Sequence, residues 1–286
     1  MSLWLTLAVN SVALGGLLFL LSAGFSLIFG LMRIPNLMHG SFFMLGAYLG
    51  VAFLAKGLNF WAAALASAAA MAVIGGVIER FLLRRLAGQE LAQVLLTLGF
   101  SFVIADICLM VWTGDPIQPP TPPELRGAVA VLSIFFPLYR LAIVAIAVAV
   151  AIGLWLMIDW TRLGAMIRAG VDDTPIARVV GIKVSQLFTL VFALGAALAA
   201  FGGVVGAPYL SVYPGLDMEM LPLALIVVIL GGTGSLLGAL VGSFLIGILY
   251  NFGQAMLPDL AYVILFLPML LVLVLRPQGL FGRIVS

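Results

Sequence analysis

The sequence predicts an all-α, polytopic integral membrane protein, and three observations lead to that fold class. Hydrophobic residues make up 64% of the chain and charged residues 8%, whereas soluble domains contain about 45–50% and 25%. The apolar residues form long runs with short polar connections between them. At about 20 residues per crossing, 286 residues allow eight to ten transmembrane helices and no sizeable soluble domain. Residues 1–286 are therefore predicted to form a single transmembrane domain.

Nine apolar segments are predicted to be transmembrane helices. Their approximate bounds are Leu3–Leu31, Leu37–Ala55, Phe60–Leu83, Leu91–Trp112, Tyr139–Ile158, Ser185–Tyr209, Leu221–Leu230, Leu236–Met256 and Tyr262–Leu275. The first lacks a basic N-terminal region and is longer than the apolar core of about 7–15 residues in a signal peptide, so we expect an uncleaved span. The seventh is short enough to be a re-entrant half-helix.

Basic residues determine the predicted orientation, because Lys and Arg favour the cytoplasmic side. With nine crossings, one side receives Arg33, the cluster Arg80–Arg85, the loop 160–183, Arg276 and Arg283. The other side receives Lys56, Asp115, Glu124, Asp217, Glu219 and Asp259. This grouping predicts an external N-terminus and a cytoplasmic C-terminus. A re-entrant seventh segment would invert the orientation after it, unless the segment 128–136 supplied a further crossing.

The longest polar interruption of the chain runs from Trp160 to Lys183 and is predicted to be cytoplasmic. Thr174 and Pro175 are typical of an N-cap and a first helical residue, and Gly181 of a helix stop. The apolar residues of this short helix share one face, and they are Ile176, Val179 and Val180. From the residues alone, the partner of that face is either the chain's own bundle and lipid headgroups or another subunit.

Glycines are frequent and are predicted to serve mainly in tight packing of helices. Gly234, Gly238 and Gly242 repeat at the four-residue spacing that lets transmembrane helices approach closely, and Gly231 and Gly232 precede them. The run from Gly231 to Ser235 is not followed by Lys, and the sequence contains no G-x-x-x-x-G-K-[ST] motif. We therefore expect this chain to bind no nucleotide.

The residue inventory argues against an enzyme and against a nucleic-acid-binding protein. His39 is the single histidine, and the paired carboxylates Asp172 and Asp173 are better suited to capping a helix start than to acid–base chemistry. The net charge of +2 comes from basic residues at span ends and forms no patch or stripe. Cys108 is alone, which excludes a disulfide within the chain.

Two places carry polar groups at membrane depth and are candidates for a translocation path. Asp106 lies inside the fourth segment, where an ionisable residue is a functional candidate or else a carboxylate bonded to a neighbouring helix. Between the first two segments, Pro35 and Gly40 interrupt regular helix, so Asn36 and His39 either line a pathway or belong to a cytoplasmic turn.

Three stretches together resemble the LivH-type permease subunit of bacterial ABC importers for branched-chain amino acids. They are GLMRIPNLMHGSFFMLGAYLG (30–50), RAGVDDTPIARVVGI (168–182) and VILGGTGSLLGALVGSFLIGILYNFGQ (228–254). The resemblance covers essentially the whole chain. Two departures from the family pattern occur here: Pro175 follows the acidic pair, and Met38 stands where the family usually has Ala before the His-Gly pair.

The resemblance implies a permease of the ABC importer type that works with four kinds of partner. These are a second, LivM-type permease, two cytoplasmic ATPases that use ATP and Mg, a periplasmic substrate-binding protein and the inner-membrane bilayer. In the family the loop near 168–181 contacts the ATPase. This carries a coupling role to Arg168, Ala169, Gly170, Asp172, Asp173, Ala177 and Gly181, to which the helical face adds Ile176 and Val179.

The expected function is thus import of branched-chain or related amino acids by alternating access, with no cofactor or metal bound by this chain. Urea and short amides are alternative substrates within the same class. A stand-alone secondary carrier or channel that uses Asp106 and His39 as an ion relay is the competing class, and a purely structural subunit is a third.

Overall fold

The computed structural model of the chain describes residues 2–33, 35–131 and 134–282 and is almost entirely helical there, as predicted. The helices are α1 (Ser2–Met32), α2 (His39–Ala55), α3 (Phe60–Phe81), α4 (Glu90–Trp112), α5 (Leu138–Trp160), α6 (Arg162–Asp172), α7 (Thr174–Val179), α8 (Val184–Leu210), α9 (Leu216–Gly231), α10 (Leu236–Met256) and α11 (Ala261–Leu275). Short 3-10 turns occur at Leu83–Leu86, Pro123–Leu125 and Pro258–Leu260.

Seven helical segments among the described residues are long and apolar enough to cross a membrane, and they include all of the apolar helices except α2 and α9. These two have 17 and 16 residues. At 1.5 Å per residue each is about 25 Å long, which is less than the hydrocarbon thickness of about 30 Å. The nine predicted segments are therefore present, but two of them are short. The seventh begins at Leu216, five residues before its predicted start.

A short hairpin, β1 (Ala128–Val131) and β2 (Ile134–Pro137), is an exception to the predicted all-helical chain. The segment 128–136 therefore provides no further crossing. The Pro-rich loop before the hairpin contains only one 3-10 turn. Ile117 in this loop and Val212, just after α8, exchange two backbone hydrogen bonds of 2.8 Å, which fixes the loop to the end of the bundle.

The central helix of the bundle is α1, whose most apolar window is 89% buried. A helix that is apolar on every side either faces lipid or lies among other helices. Helices α5, α8, α9 and α10 surround α1 here. The core includes the fully buried side chains of Phe19 and Phe25 from α1 and of Phe42 from α2.

The packing contains an inverted repeat that the sequence analysis did not detect. Helix α1 packs against α10 as α8 packs against α3, and the pairs α2–α3 and α9–α10 correspond in the same way. Likewise α2 contacts α4, and α9 contacts α11. Helix α1 runs toward the end of the bundle at which α8 begins, so the units α1–α4 and α8–α11 have opposite directions. Inverted repeats of this kind are common in membrane transporters.

Most of the basic residues collect at one end of the bundle, which we call the basic end. Arg33, after α1, donates to Val171 O in the 160–183 loop at 3.4 Å, and Arg84, after α3, donates to Ser185 O at 2.5 Å. The C-terminal segment after α11 joins the end of α9 there, because Leu280 N donates to Leu230 O at 2.9 Å. The predicted grouping of basic sites is confirmed for the described residues, while Arg283 lies outside them.

The glycines between α9 and α10 allow these helices to approach closely. Gly231 and Gly238 lie backbone to backbone, and a methyl group on Gly242 would be 2.9 Å from Val227 O. Gly232 and Gly234 lie in the connecting loop at φ +100° and +77°. Of the three glycines at four-residue spacing, Gly234 therefore precedes α10 and does not belong to its packing face.

A second close approach brings α1 against α8. A methyl group on Gly24 would lie 2.7 Å from the carbonyl oxygen of Gly195. We expect Gly24→Val to lower the stability of the bundle by about 1–3 kcal/mol through overpacking. Gly153→Val in α5 is the matched control, because open space surrounds Gly153. Thermal unfolding in detergent measures both, and equal midpoints for the two variants would contradict a packing role for Gly24.

Candidate functional site

The chain leaves the helical path between α1 and α2 at the predicted position. Arg33 has φ +57° and ends α1, and Pro35 lacks the N–H group that a continuing helix needs. Asn36 lies in the turn before α2: its Oδ1 accepts from Met38 N at 3.2 Å and its carbonyl oxygen from His39 N at 3.1 Å. The freed backbone groups are thus satisfied inside the protein, as membrane depth requires.

His39 fixes the start of α2 deep in the bundle. Its side chain is fully buried, its Nε2 donates to Leu21 O at 3.0 Å, and its ring stacks on Phe25 at 5.2 Å between centroids. Because a carbonyl oxygen only accepts, Nε2 carries the proton. Leu21 lies about 16 Å from the C-terminal end of α1, which is at the basic end of the bundle. The interpretation of this segment as a cytoplasmic turn is therefore wrong.

A small cavity of about 10 Å³, with a mainly apolar lining and a few polar groups, lies beside Asn36 between α1, α4 and α8. This volume corresponds to about one water molecule. Gln93 and Thr97 of α4 also line the cavity. The Nδ2 atom of Asn36 and the Oε1 atom of Gln93 are both buried without a hydrogen-bond partner among the described residues. The sequence analysis missed Gln93, although its place within an apolar segment distinguishes it from its neighbours.

The amino-terminal ends of α2 and α9 meet in the interior. Ser41 Oγ donates to Asp217 Oδ2 at 2.8 Å, and a methyl group on Gly40 would be 2.7 Å from Asp217 O. Asp217 is only 2% exposed, and its Oδ1 atom has no partner among the described residues. The partial positive charges of both helix starts favour a carboxylate at this point. The prediction that places Asp217 on the external side, before the seventh segment, is therefore wrong, because α9 starts earlier than the apolar run.

The four candidate path residues fall into two places. Asn36, His39 and Gly40 are brought together at the junction between α1, α2 and α9. Asp106 lies on the exposed face of α4, and the structure does not bring it to that junction.

The loop between α5 and α8 contains two helices, α6 and α7. Asp173, and not Thr174 as predicted, is the N-cap of α7, since its Oδ1 accepts from Ile176 N at 2.9 Å. Its neighbour Asp172 ends α6. Gly181 follows α7 at φ +90°, which agrees with its predicted role as the stop.

The helix α7 has one buried side chain and an exposed apolar face. Ala177 is 2% exposed, whereas the exposed fractions of Ile176 and Val179 are 61% and 87%. Val180 is also exposed. Among the described residues, the exposed face of α7 does not pack on the chain's own bundle. Of the partners considered above, lipid headgroups and another subunit remain.

Several contacts attach this loop to the transmembrane helices. Gly170 of α6 lies against Leu31 of α1 and Leu187 of α8, and Arg168 pairs with Asp159 of α5 at 3.3 Å. The backbone of α6 leads directly into α7, because Ala169 O accepts from Asp173 N at 3.1 Å. A displacement of α7 would consequently reach three transmembrane helices.

A polar cluster around the buried Glu79 connects the end of α3 with the start of α8. Glu79 is 1% exposed and pairs with Arg84 at 3.2 Å. Thr189 donates to the same carboxylate at 2.5 Å, and Arg84 also donates to Ser185 O. The sequence analysis treated Arg84 only as an orientation signal and missed this role, because nothing in the local sequence shows that α8 begins beside it.

A cavity of about 840 Å³ opens at the basic end, next to the 160–183 loop. It lies between the ends of α1 and α5, helix α6, and the loop before α10. Its charged lining consists of Arg33, Asp159, Arg168 and Asp172. Among the described residues there is no group of three or more His, Cys, Asp or Glu side chains that could hold a metal ion.

Comparison with protein families gives one match that covers nearly the whole chain. Residues 7–273 match the family described as "Branched-chain amino acid transport system / permease component". The chain belongs to this permease family. It is a transport subunit and not an enzyme, because the members to which it is similar are permease components of transport systems.

Individual relatives agree with the family match. The chain is 29% identical to the high-affinity branched-chain amino acid transport system permease protein BraD of Pseudomonas aeruginosa, over 96% of this chain and 94% of the relative. It is 26% identical to LivH of Escherichia coli over the same shares. The ribose import permease protein RbsC of Escherichia coli is 27% identical over 66% of this chain and 59% of its own. No solved structure matches the permease.

The meeting of α2 and α9 generates a prediction about Asp217. Replacing it with Asn keeps the shape but removes the charge that offsets two helix starts, so Asp217→Asn should destabilise the permease by about 1–3 kcal/mol. Glu219→Gln, in the same first turn of α9 but exposed, should change stability little. Unfolding curves in detergent measure the difference. A stability equal to that of the native chain would show that the charge of Asp217 is not needed.

Proposed function

We propose that this chain is a transmembrane permease subunit of an ATP-binding-cassette importer in the bacterial inner membrane. Its substrates are branched-chain or related amino acids. The supporting observation is the similarity to BraD and LivH along 94% of their lengths, since both names specify branched-chain amino acid transport. The similarity to a ribose permease covers only part of both chains and supports the importer architecture but not a sugar substrate.

The proposed complex contains a second, LivM-type permease, two cytoplasmic ATPases and a periplasmic substrate-binding protein. ATP and Mg are used by the ATPases. The 160–183 loop is proposed to be the coupling element, and the exposed apolar face of α7 is the surface that an ATPase would cover. The valine and isoleucine side chains that this six-residue helix exposes would be more stable if they were removed from water. Their exposure therefore supports a protein partner there.

Transport would proceed by alternating access. Closure of the ATPases would displace α7, and the contacts of Gly170 and Arg84 would transmit this movement to α1, α3 and α8. The junction at Asn36, His39 and Gly40, where helix is already interrupted, is the proposed place at which the interior rearranges. Selectivity would come chiefly from the binding protein, since the polar groups at this junction are mostly uncharged.

The energy source separates this proposal from a stand-alone carrier. In cells that express the whole system, uptake of radiolabelled leucine should continue when an uncoupler collapses the proton gradient, provided that ATP is maintained. It should stop when ATP is depleted. The opposite pattern would indicate a secondary carrier. ATP-dependent uptake of labelled urea but not leucine would keep the importer and change its substrate to the amide alternative.

Val179→Asp tests the coupling surface. A carboxylate within a packed contact costs several kcal/mol, and each 1.4 kcal/mol is about tenfold in binding. We expect the ATPases to be lost on purification and substrate-stimulated ATP hydrolysis to disappear, while the permease remains in the membrane. Val179→Thr, which keeps the shape without a charge, should retain most of both. Normal copurification and uptake by Val179→Asp would refute the coupling role of α7.

A further inference from the structure

The helix α4 has two faces of different chemistry. Its buried face carries polar side chains at helical spacing, and these are Gln93, Thr97 and Ser101, together with Ile104 and Cys108. Its outward face is a stripe of exposed residues that runs along the whole helix. We call it the α4 stripe, and it consists of Leu91, Leu95, Gly99, Phe102, Val103, Asp106 and Met110.

One residue of the α4 stripe, Asp106, is unsuited to contact with lipid tails. Asp106 forms no hydrogen bond or ion pair with the described residues, and exposed apolar side chains lie above and below it, among them Val103 and the 83% exposed Met110. Ionisable residues within a membrane almost always face protein or a water-filled cavity. Asp106 is therefore expected to meet polar groups that the chain itself does not supply.

Gly99 points independently to a neighbouring helix. It is exposed, and a methyl group added to it would meet nothing within 4 Å. Small residues on an outward helix face allow another transmembrane helix to approach closely. Gly99 and Asp106 are seven residues apart, two helical turns, so one helix packed along the stripe would reach both.

We propose that the α4 stripe is the contact surface for the second permease subunit, which packs a helix against Gly99 and presents a hydrogen-bond donor or cation to Asp106. A second copy of this chain is a poor occupant. A two-fold axis along the membrane normal would place Asp106 opposite its equivalent at the same depth, where two like charges repel. This inference rests on the proposed function for the existence of a second permease.

The first test measures assembly with an epitope-tagged second permease of the importer, expressed together with this chain. Gly99→Leu should reduce copurification about tenfold or more by blocking close approach, and Asp106→Leu should reduce it too. Gly153→Leu in α5 is the matched control, because Gly153 is equally open but its exposed neighbours are all apolar. It should leave copurification unchanged.

The second test locates the contact directly and does not depend on the variants folding equally well. Cys108 is the only cysteine, so a Cys108→Ala chain accepts a single new cysteine at Met110 in α4 or at Ile152 in α5. A benzophenone attached at residue 110 should form an adduct with the tagged second permease, whereas one at residue 152 should not.

Three outcomes would overturn the inference: an adduct from residue 152 alone, an adduct from residue 110 only with another copy of this chain, or full copurification with both Gly99→Leu and Asp106→Leu. None of these would affect the proposed function. If instead the native chain and the second permease never copurify, the partnership assumed by the proposed function fails.

Discussion

The fold depends on how two helices can begin inside a membrane. Each helix start leaves several N–H groups unpaired, and lipid offers them no partner. The N–H groups before α2 bond to Asn36 and Thr97. The starts of α2 and α9 are joined by a hydrogen bond from Ser41 to the carboxylate of Asp217. The long helices α1 and α8 must cross closely to enclose this junction, which explains why Gly24 faces Gly195.

The helices were largely predictable because apolar length is a strong and local property of a sequence. Pro35 also marked the interruption between α1 and α2 correctly, whereas Gly40, predicted to interrupt helix, lies within the first turn of α2. What the sequence analysis missed depends on contacts between distant segments. Asp217 looked like a loop residue until α9 extended back to Leu216, and the inverted repeat exists only as packing.

The candidate residues also divide into those marked by a local sequence signal and those that depend on contacts between distant segments. Asp173 and Gly181 were identified as capping and ending residues because helix signals are local, although the N-cap itself was assigned one residue too late. The polar cluster at Glu79 could not be anticipated, since Thr189 and Ser185, which join Glu79 and Arg84 there, lie about a hundred residues further along the chain. Family similarity adds a class of function, but it does not identify the residues that contact substrate.

The short length of α2 and α9 has a consequence for how the chain enters the membrane. Helices of 17 and 16 residues, one with His39 and the other with Asp217 in the first turn, are poor candidates for independent partitioning from the translocon. Their longer flanking helices can insert first and then provide the buried polar contacts. Biogenesis should therefore proceed in two stages, with the two short helices reaching their final positions only after their neighbours have assembled around them.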